Sequence, residues 1–468
     1  MPITNDLICF FQDYLSDVSP EEKLGILKEA GVESLGHPES DLFESRQPKY
    51  DFLPRTEYSG LVDEFRRVFA RNASRALSAF ILAGSESAAV HSLSPASRET
   101  LNMIAERFPG TDRGEREFRN REPRRRLPPL YEQLSSWALD PRNWYRVSTA
   151  ESPVTLQSRI WREFPCIVFG NGPIECARVG DPEMQLERLE DILQTTGIYS
   201  LWGAGHLGGA AKAVVLDTGV SQRIAKTGVN ATAVAGLSKV DADGHGSAIV
   251  SLIRALSPQT AIESICVTQA YSGGQIWNLT SGLTSLFGRR DSIVNMSLGA
   301  SPEWVRALGG QALGFRDSMT NVLGCLASTM NFAVSAAGND GMPDLRWPAA
   351  ATDSLAVASH NATFALSSFS NFRTEAANLV LAPGGEVRQL DGKVESFGQY
   401  GSGFGREVFG TSFSAAIASA MACLLMDCDW FRNMQVASRI SLFRNHCRRN
   451  EQGFPILNAS DIGAVWPI

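Results

Sequence analysis

The sequence predicts an α/β protein: a largely parallel sheet with helices on both faces, preceded by a mainly helical N-terminal region. Three observations carry this. From about residue 200 onward, short apolar runs rich in β-branched residues alternate with helix-like stretches. Charge density halves near residues 180–200: residues 1–190 hold 24 Lys/Arg and 30 Asp/Glu, and residues 191–468 hold 19 and 20. At 468 residues the chain exceeds one ordinary domain.

In chain order, residues 5–34 suggest two short helices. The second opens on Ser19-Pro20-Glu21-Glu22, which supplies an N-cap, a proline at the first helical position and acids in the first turn. Residues 61–108 read as helical, with apolar side chains at Leu61, Phe65, Val68, Phe69, Leu77, Phe80 and Ile81, so residues 1–110 form a helical region. Residues 111–195 form a linker and connecting α/β segment, regulatory or pro-region-like in character. Its seven arginines between Arg113 and Arg126 alternate with Asp112, Glu115, Glu117 and Glu122 and precede Pro128-Pro129. With no aromatic platform beside them, they read as a solvated connection and an easy place for nicking rather than a nucleic-acid surface. Cys166–Phe169 reads as a strand and residues 181–195 as a helix.

Residues 196–468 form the second domain. Ala213–Leu216, Ile262–Val267, Ile293–Met296, Phe332–Ala336, Leu355–Ala358 and Leu379–Leu381 are its expected strands, with helices over Ser247–Leu256, Val322–Met330 and Ala418–Leu425. Ligands in such a fold bind at the carboxyl ends of the strands.

Composition narrows the partners. The net charge of −7 favours neither nucleic acid nor an anionic membrane, and no run of about 18 apolar residues suggests a span. The N-terminus shows no basic stretch leading into an apolar one. The eight cysteines follow no disulfide or metal-ligand spacing, so a reduced, cytoplasmic protein is expected.

Three segments carry chemistry. Val214-Val215-Leu216-Asp217-Thr218-Gly219 ends a buried-type strand on an Asp, which can hydrogen-bond an imidazole and fix its tautomer. Asp243-Gly244-His245-Gly246-Ser247 places a His between glycines before an apolar helix. Gly410-Thr411-Ser412-Phe413 sets a Ser at a helix start, where free N–H groups and the helix dipole favour a developing oxyanion. Each alone has a bland reading, a turn Asp, a structural His or an N-cap Ser; their occurrence together in the order Asp, His, Ser is far more specific. His206 and His360 lack these flanks and read as surface or loop residues.

On these motifs, residues 200–468 resemble the subtilisin-like serine proteases. Ala336-Ala337-Gly338-Asn339 is similar to the family's oxyanion-asparagine motif, Asn295-Met296-Ser297-Leu298-Gly299 to its substrate-binding strand, and Tyr271-Ser272-Gly273-Gly274-Gln275 to the opposing one. Trp347–Ala350, Phe369–Phe372, Leu381–Gly384 and Gly453–Ala459 continue the likeness. The resemblance implies catalysis by Asp217, His245 and Ser412 with Asn339 in the oxyanion hole. It implies substrate held by Gly273, Gly274, Ser297, Leu298, Gly299, Ala336, Ala337 and Gly338. The departures are Ser247 for the usual Thr, Ala248 for a second His, Ala416 for a Pro, and no His-Pro-Asp-Leu element after Asp217. No matched calcium loop is seen, so none is assigned.

The expected activity is endoproteolysis of protein or peptide substrates, a hydrolysis that by this route needs no cofactor, with residues 1–195 as a regulatory region open to a protein partner. The alternative is a peptide-binding or scaffolding module with little catalysis, against which the presence of all four catalytic residue types argues.

Overall fold

The computed structural model describes residues 5–13, 18–36, 137–175, 189–269, 274–387 and 406–464, with short pieces at 67–68, 93–95, 97–98, 184–185, 394–395 and 398–400. The helix expected over 61–108 and the Arg113–Arg126 connection fall almost wholly outside these residues. The chain divides into two compact units: residues 1–171 with 283–288 and 306–329, and residues 172–282 with 289–305 and 330–468. The division at 171/172 lies upstream of the 180–200 boundary read from charge density.

The first unit is built on a four-stranded sheet. Its strands are β1 (Asn5–Phe11), β2 (Glu33–Gly36), β3 (Trp144–Thr149) and β4 (Cys166–Gly170), in the order β2-β3-β1-β4. Every pairing is antiparallel. Helix α1 (Pro20–Glu29) joins β1 to β2 and α2 (Pro153–Ile160) joins β3 to β4, a split β-α-β order repeated twice. The expected Ser19 cap is present with its reciprocal Glu22 bond. The other helix expected in 5–34 is instead strand β1. Leu7, Cys9 and Phe11 face a core with Leu27 and Leu156, while Phe10 stacks on Trp144 at 4.1 Å. A short apolar run fits a buried strand and a buried helix alike, and nothing beside Leu7–Phe11 in the sequence decided between them.

One charge pair lies inside this unit. Lys23 of α1 and Asp13 are 2.7 Å apart with 1% and 0% of their side chains exposed, and Lys23 Nζ also donates to Asn143 Oδ1 at 2.8 Å.

The second unit is organised by a seven-stranded sheet. Its strands are β7 (Lys212–Asp217), β8 (Asn230–Ala233), β9 (Ala261–Cys266), β11 (Ser292–Met296), β12 (Phe332–Ala336), β13 (Ser354–His360) and β14 (Leu379–Pro383), while the two-residue strands β5 (Pro173–Ile174), β6 (Met184–Gln185) and β10 (Gly274–Gln275) stand outside it. They run in the order β14-β13-β12-β11-β7-β9-β8, parallel throughout. Six of the seven are the strands read from apolar runs; β8 lies in a polar stretch that gave no signal. Helices α3 (His245–Leu256) and α5 (Thr411–Leu425) pack on each other, and α5 also lies across β11, β12, β13 and β14. Helix α4 (Ala312–Ser328) covers part of the expected 322–330 span and belongs to the first unit, where its Phe315 meets Phe169 of β4. Small side chains over Ala415–Ala422 let α5 bury every residue against its neighbours. The chain leaves β7 for β8 and β9 on one side and returns to β11 on the other, so the switch point lies between β7 and β11.

Removing one partner of a fully buried pair leaves an uncompensated charge. Lys23→Met is therefore expected to destabilise the first unit by about 3–5 kcal/mol, read from urea denaturation followed at Trp144. An unchanged midpoint would show that Asp13 is solvated in solution.

Candidate active site

The carboxyl ends of β7, β11 and β12, three neighbouring strands, bring the predicted residues together. Asp217 is the last residue of β7 and is fully buried. Its Oδ1 lies 2.7 Å from His245 Nδ1 and accepts from the Thr218 N–H at 2.8 Å. His245 is the first residue of α3 and is also fully buried. Burial favours the neutral ring, but the charge and hydrogen bond of Asp217, with the charges of Asp241 and Asp243, outweigh it and raise the pKa above the ordinary 6.5. Close approach of α3 to the turn after β7 depends on Gly246, where a Cβ would sit 2.3 Å from the Gly219 carbonyl.

Ser412 occupies the first turn of α5. Its Oγ donates to the Ser297 carbonyl at 3.1 Å, and Ser297 Oγ in turn donates to the Ser412 carbonyl at 2.9 Å. The hydroxyl thus points at β11 rather than at the imidazole, and among the described residues His245 Nε2 has no hydrogen-bond partner. The ring of Phe413, next in sequence to Ser412, lies 6.2 Å from that of His245. Asp217 and His245 are thus paired, while the Ser412 hydroxyl is bonded to the Ser297 carbonyl.

Asn339 follows β12. Its Oδ1 accepts from the N–H and the hydroxyl of Thr411, both at 2.9 Å, which leaves Nδ2 as the donor end of an exposed amide. Gly410 makes room for it: its φ of 132° is closed to most side chains, and a Cβ there would come within 3.2 Å of Asn339 Nδ2. Of the residues expected to hold substrate, Ser297, Leu298, Gly299, Ala336, Ala337 and Gly338 follow or end β11 and β12, and Gly274 lies in β10 (Gly274–Gln275). Gly273 lies outside the described residues.

Sequence reading missed Asp241. Its buried carboxylate accepts from Thr218 Oγ1, the N–H groups of Asp243 and Gly244, and both the N–H and the hydroxyl of Ser247, at 2.6–3.0 Å. Burial raises its pKa despite these donors. Asp241 thereby ties the turn after Asp217 to the start of the helix that carries His245. Ser247, one of the noted departures, is part of this knot and accepts from the Ser221 N–H at 2.9 Å. The available signal was an Asp placed before an Asp-Gly turn and a helix start. His360, expected in a loop, ends β13 and is buried, with its pKa lowered to about 4 by burial. His206 contacts Cys428 Sγ at 3.5 Å. Among the described residues no cluster of His, Cys, Asp and Glu has the makings of a metal site, and no helix is long and apolar enough to cross a membrane.

Residues 215–442 match the model of the subtilase family, a span that takes in Asp217, His245, Asn339 and Ser412. This stretch is a subtilase domain. Solved structures similar to the chain include a serine-to-alanine mutant of the protease domain of PatA, at 20% identity, covering 55% of this chain and 94% of that one with a TM-score of 0.43. A lanthipeptide protease is similar at 18% identity, covering 60% of this chain and 98% of that one with a TM-score of 0.48. The nisin leader peptidase NisP from Lactococcus lactis is similar at 14% identity, covering 58% and 92% with a TM-score of 0.46. No curated protein matches the chain.

Loss of the Asp241 carboxylate would leave five donors without an acceptor. Asp241→Ala is expected to lower stability by about 3 kcal/mol, seen as an earlier thermal midpoint of the subtilase domain; a shift no larger than that of a surface Asp→Ala control would contradict this role.

Proposed function

We propose that the chain is a serine endopeptidase that hydrolyses peptide bonds of protein or peptide substrates. The observation that carries this reading is the buried Asp217–His245 contact of 2.7 Å at the β7/β11 switch point, with Ser412 opening the adjacent helix. Ser412 Oγ attacks the scissile carbonyl as His245 Nε2 takes its proton. Asp217 holds the ring with Nδ1 protonated and stabilises the imidazolium. Asn339 Nδ2 and the Ser412 N–H donate to the carbonyl oxygen as it becomes an oxyanion. His245 then gives its proton to the leaving amine, and water, activated by the same ring, releases the acyl group to restore the hydroxyl. The sequence needs no cofactor.

The working compartment is proposed to be the cytoplasm. Seven described cysteines are free and buried, which supports a reducing surrounding. A protease made there needs restraint, and we assign that role to the N-terminal region.

Labelling with a fluorophosphonate probe tests the core of the proposal: the full chain is expected to label and Ser412→Ala is not. Absence of Ser412-dependent labelling in a folded chain would leave a peptide-binding module as the reading. Asn339→Ala is expected to lower kcat by about 10²–10³ with a smaller change in KM, checked by steady-state kinetics on a peptide substrate. His245 must be neutral to accept a proton, and its pKa is raised. Activity is thus expected to be full at alkaline pH and to fall with a midpoint above 6.5 as acid protonates the ring. A kcat/KM profile flat down to pH values below that point would remove His245 from the base role.

A further inference from the structure

The candidate substrate strands are not vacant. Strand β5 (Pro173–Ile174), immediately after the first unit's last strand in sequence, pairs antiparallel with β10, with Ile174 opposite Gly274 and Pro173 opposite Gln275. One residue on, Glu175 bridges Gly299 from the other side: its N–H donates to the Gly299 carbonyl at 3.0 Å and its carbonyl accepts from the Gly299 N–H at 3.0 Å. The Gly172 carbonyl accepts from the Ile276 N–H at 2.7 Å. An extended piece of the chain therefore lies between two strand edges and bonds to both, the arrangement by which a sheet takes up an added peptide. Ile174 is 2% exposed, and its Cγ1 lies where a Cβ on Gly274 would fall within 2.5 Å. Asp217 and His245 are fully buried and Ser412 is 3% exposed.

The side chain of Glu175 meets a preset cation. Arg346 Nη1 lies 2.8 Å from Glu175 Oε2, while Nε and Nη2 hold both oxygens of Asp340 at 2.8 and 2.6 Å. Asp340 is fixed in turn: its other contact is Asn371 Nδ2 at 2.9 Å, and its N–H donates to Asn371 Oδ1 at 2.7 Å. The Arg346 backbone N–H donates to the Ala337 carbonyl at 2.9 Å, placing this residue beside both the oxyanion segment and Gly299. Three guanidinium nitrogens are thus engaged, and the one aimed at the strand is oriented by the Asp340 fork before any peptide arrives.

We infer that Arg346 is a specificity-determining residue that recognises a carboxylate on whichever peptide strand pairs with Gly299, as it does that of Glu175. Peptides with an acidic residue at the Gly299-paired position are expected to take that place best. The inference deepens the peptidase reading and rests on it for its biological sense.

The test uses the full chain carrying Ser412→Ala, so that hydrolysis plays no part and its outcome is separate from that of probe labelling. Backbone amide exchange is followed at Gly274–Ile276 and Ser297–Gly299. Glu175→Arg, which sets two cations against each other at an exposed side chain, is expected to speed exchange at Gly299 about tenfold. In that variant, added acetyl-Gly-Pro-Ile-Glu-amide is expected to slow exchange again, at about threefold lower concentration than the Gln-containing peptide. Arg346→Met, which keeps the aliphatic stem, is expected to erase the Glu/Gln difference. Unchanged exchange in Glu175→Arg would overturn the contact of Arg346 with Glu175. Equal action of the two peptides, or a preference that survives Arg346→Met, would overturn the recognition. Should Arg346→Met not fold, the two peptides on the Glu175→Arg chain decide alone.

Discussion

A carboxylate and an imidazole taken out of water together cost several kcal/mol of lost hydration unless each finds the other at hydrogen-bond distance. The Asp217–His245 contact is such a case, and much of the second unit can be traced to holding it. The parallel sheet fixes Asp217 at a strand end. The Asp241 carboxylate gathers five donors from the loops on either side, so that the turn after Asp217 and the first turn of α3 move as one body. Gly246 removes the one atom that would keep those segments apart. A site of this kind depends less on any single bond than on a supporting shell whose members are themselves satisfied.

Much of this was legible in the sequence because parallel strands are buried on both faces. Runs such as Ala213–Leu216 and Phe332–Ala336 are continuous and apolar, and they recur at intervals that leave room for helices. Asp217, His245 and Ser412 each sit next to a glycine or a chain turn, which made them visible as punctuation. The same property misled at the N-terminus. Leu7–Phe11 is equally continuous, but it stands alone near polar segments, and without neighbours a buried strand cannot be told from a short helix. Strand β8 is half-buried and polar, and edge strands of that kind carry little pattern.

What the sequence could not show is partnership across long separations. Arg346 and Glu175 are 171 residues apart, and Asn339 and Thr411 are 72 apart. Gly172-Pro173-Ile174-Glu175 reads as an ordinary turn followed by a charged residue; its pairing with Gly299 becomes apparent only when the sheet exists to receive it. Asp241 was hidden for a related reason, since a loop Asp looks the same whether it caps one N–H or organises five donors.

The two units also share the chain in an interleaved manner. The first unit's sheet needs β3 and β4, more than 100 residues after β2, and the face bearing Phe169 is covered by Phe315 from α4, itself encoded after β11. On a ribosome, synthesis proceeds at roughly 5–20 residues per second. The leading part of the protein therefore waits several seconds, with an aromatic face uncovered, while the middle of the subtilase domain is still being made. Chain order sets the order of maturation: the first unit is complete only once α4 is made, the second later still, and a nascent fragment ending before α4 is a natural client for chaperones.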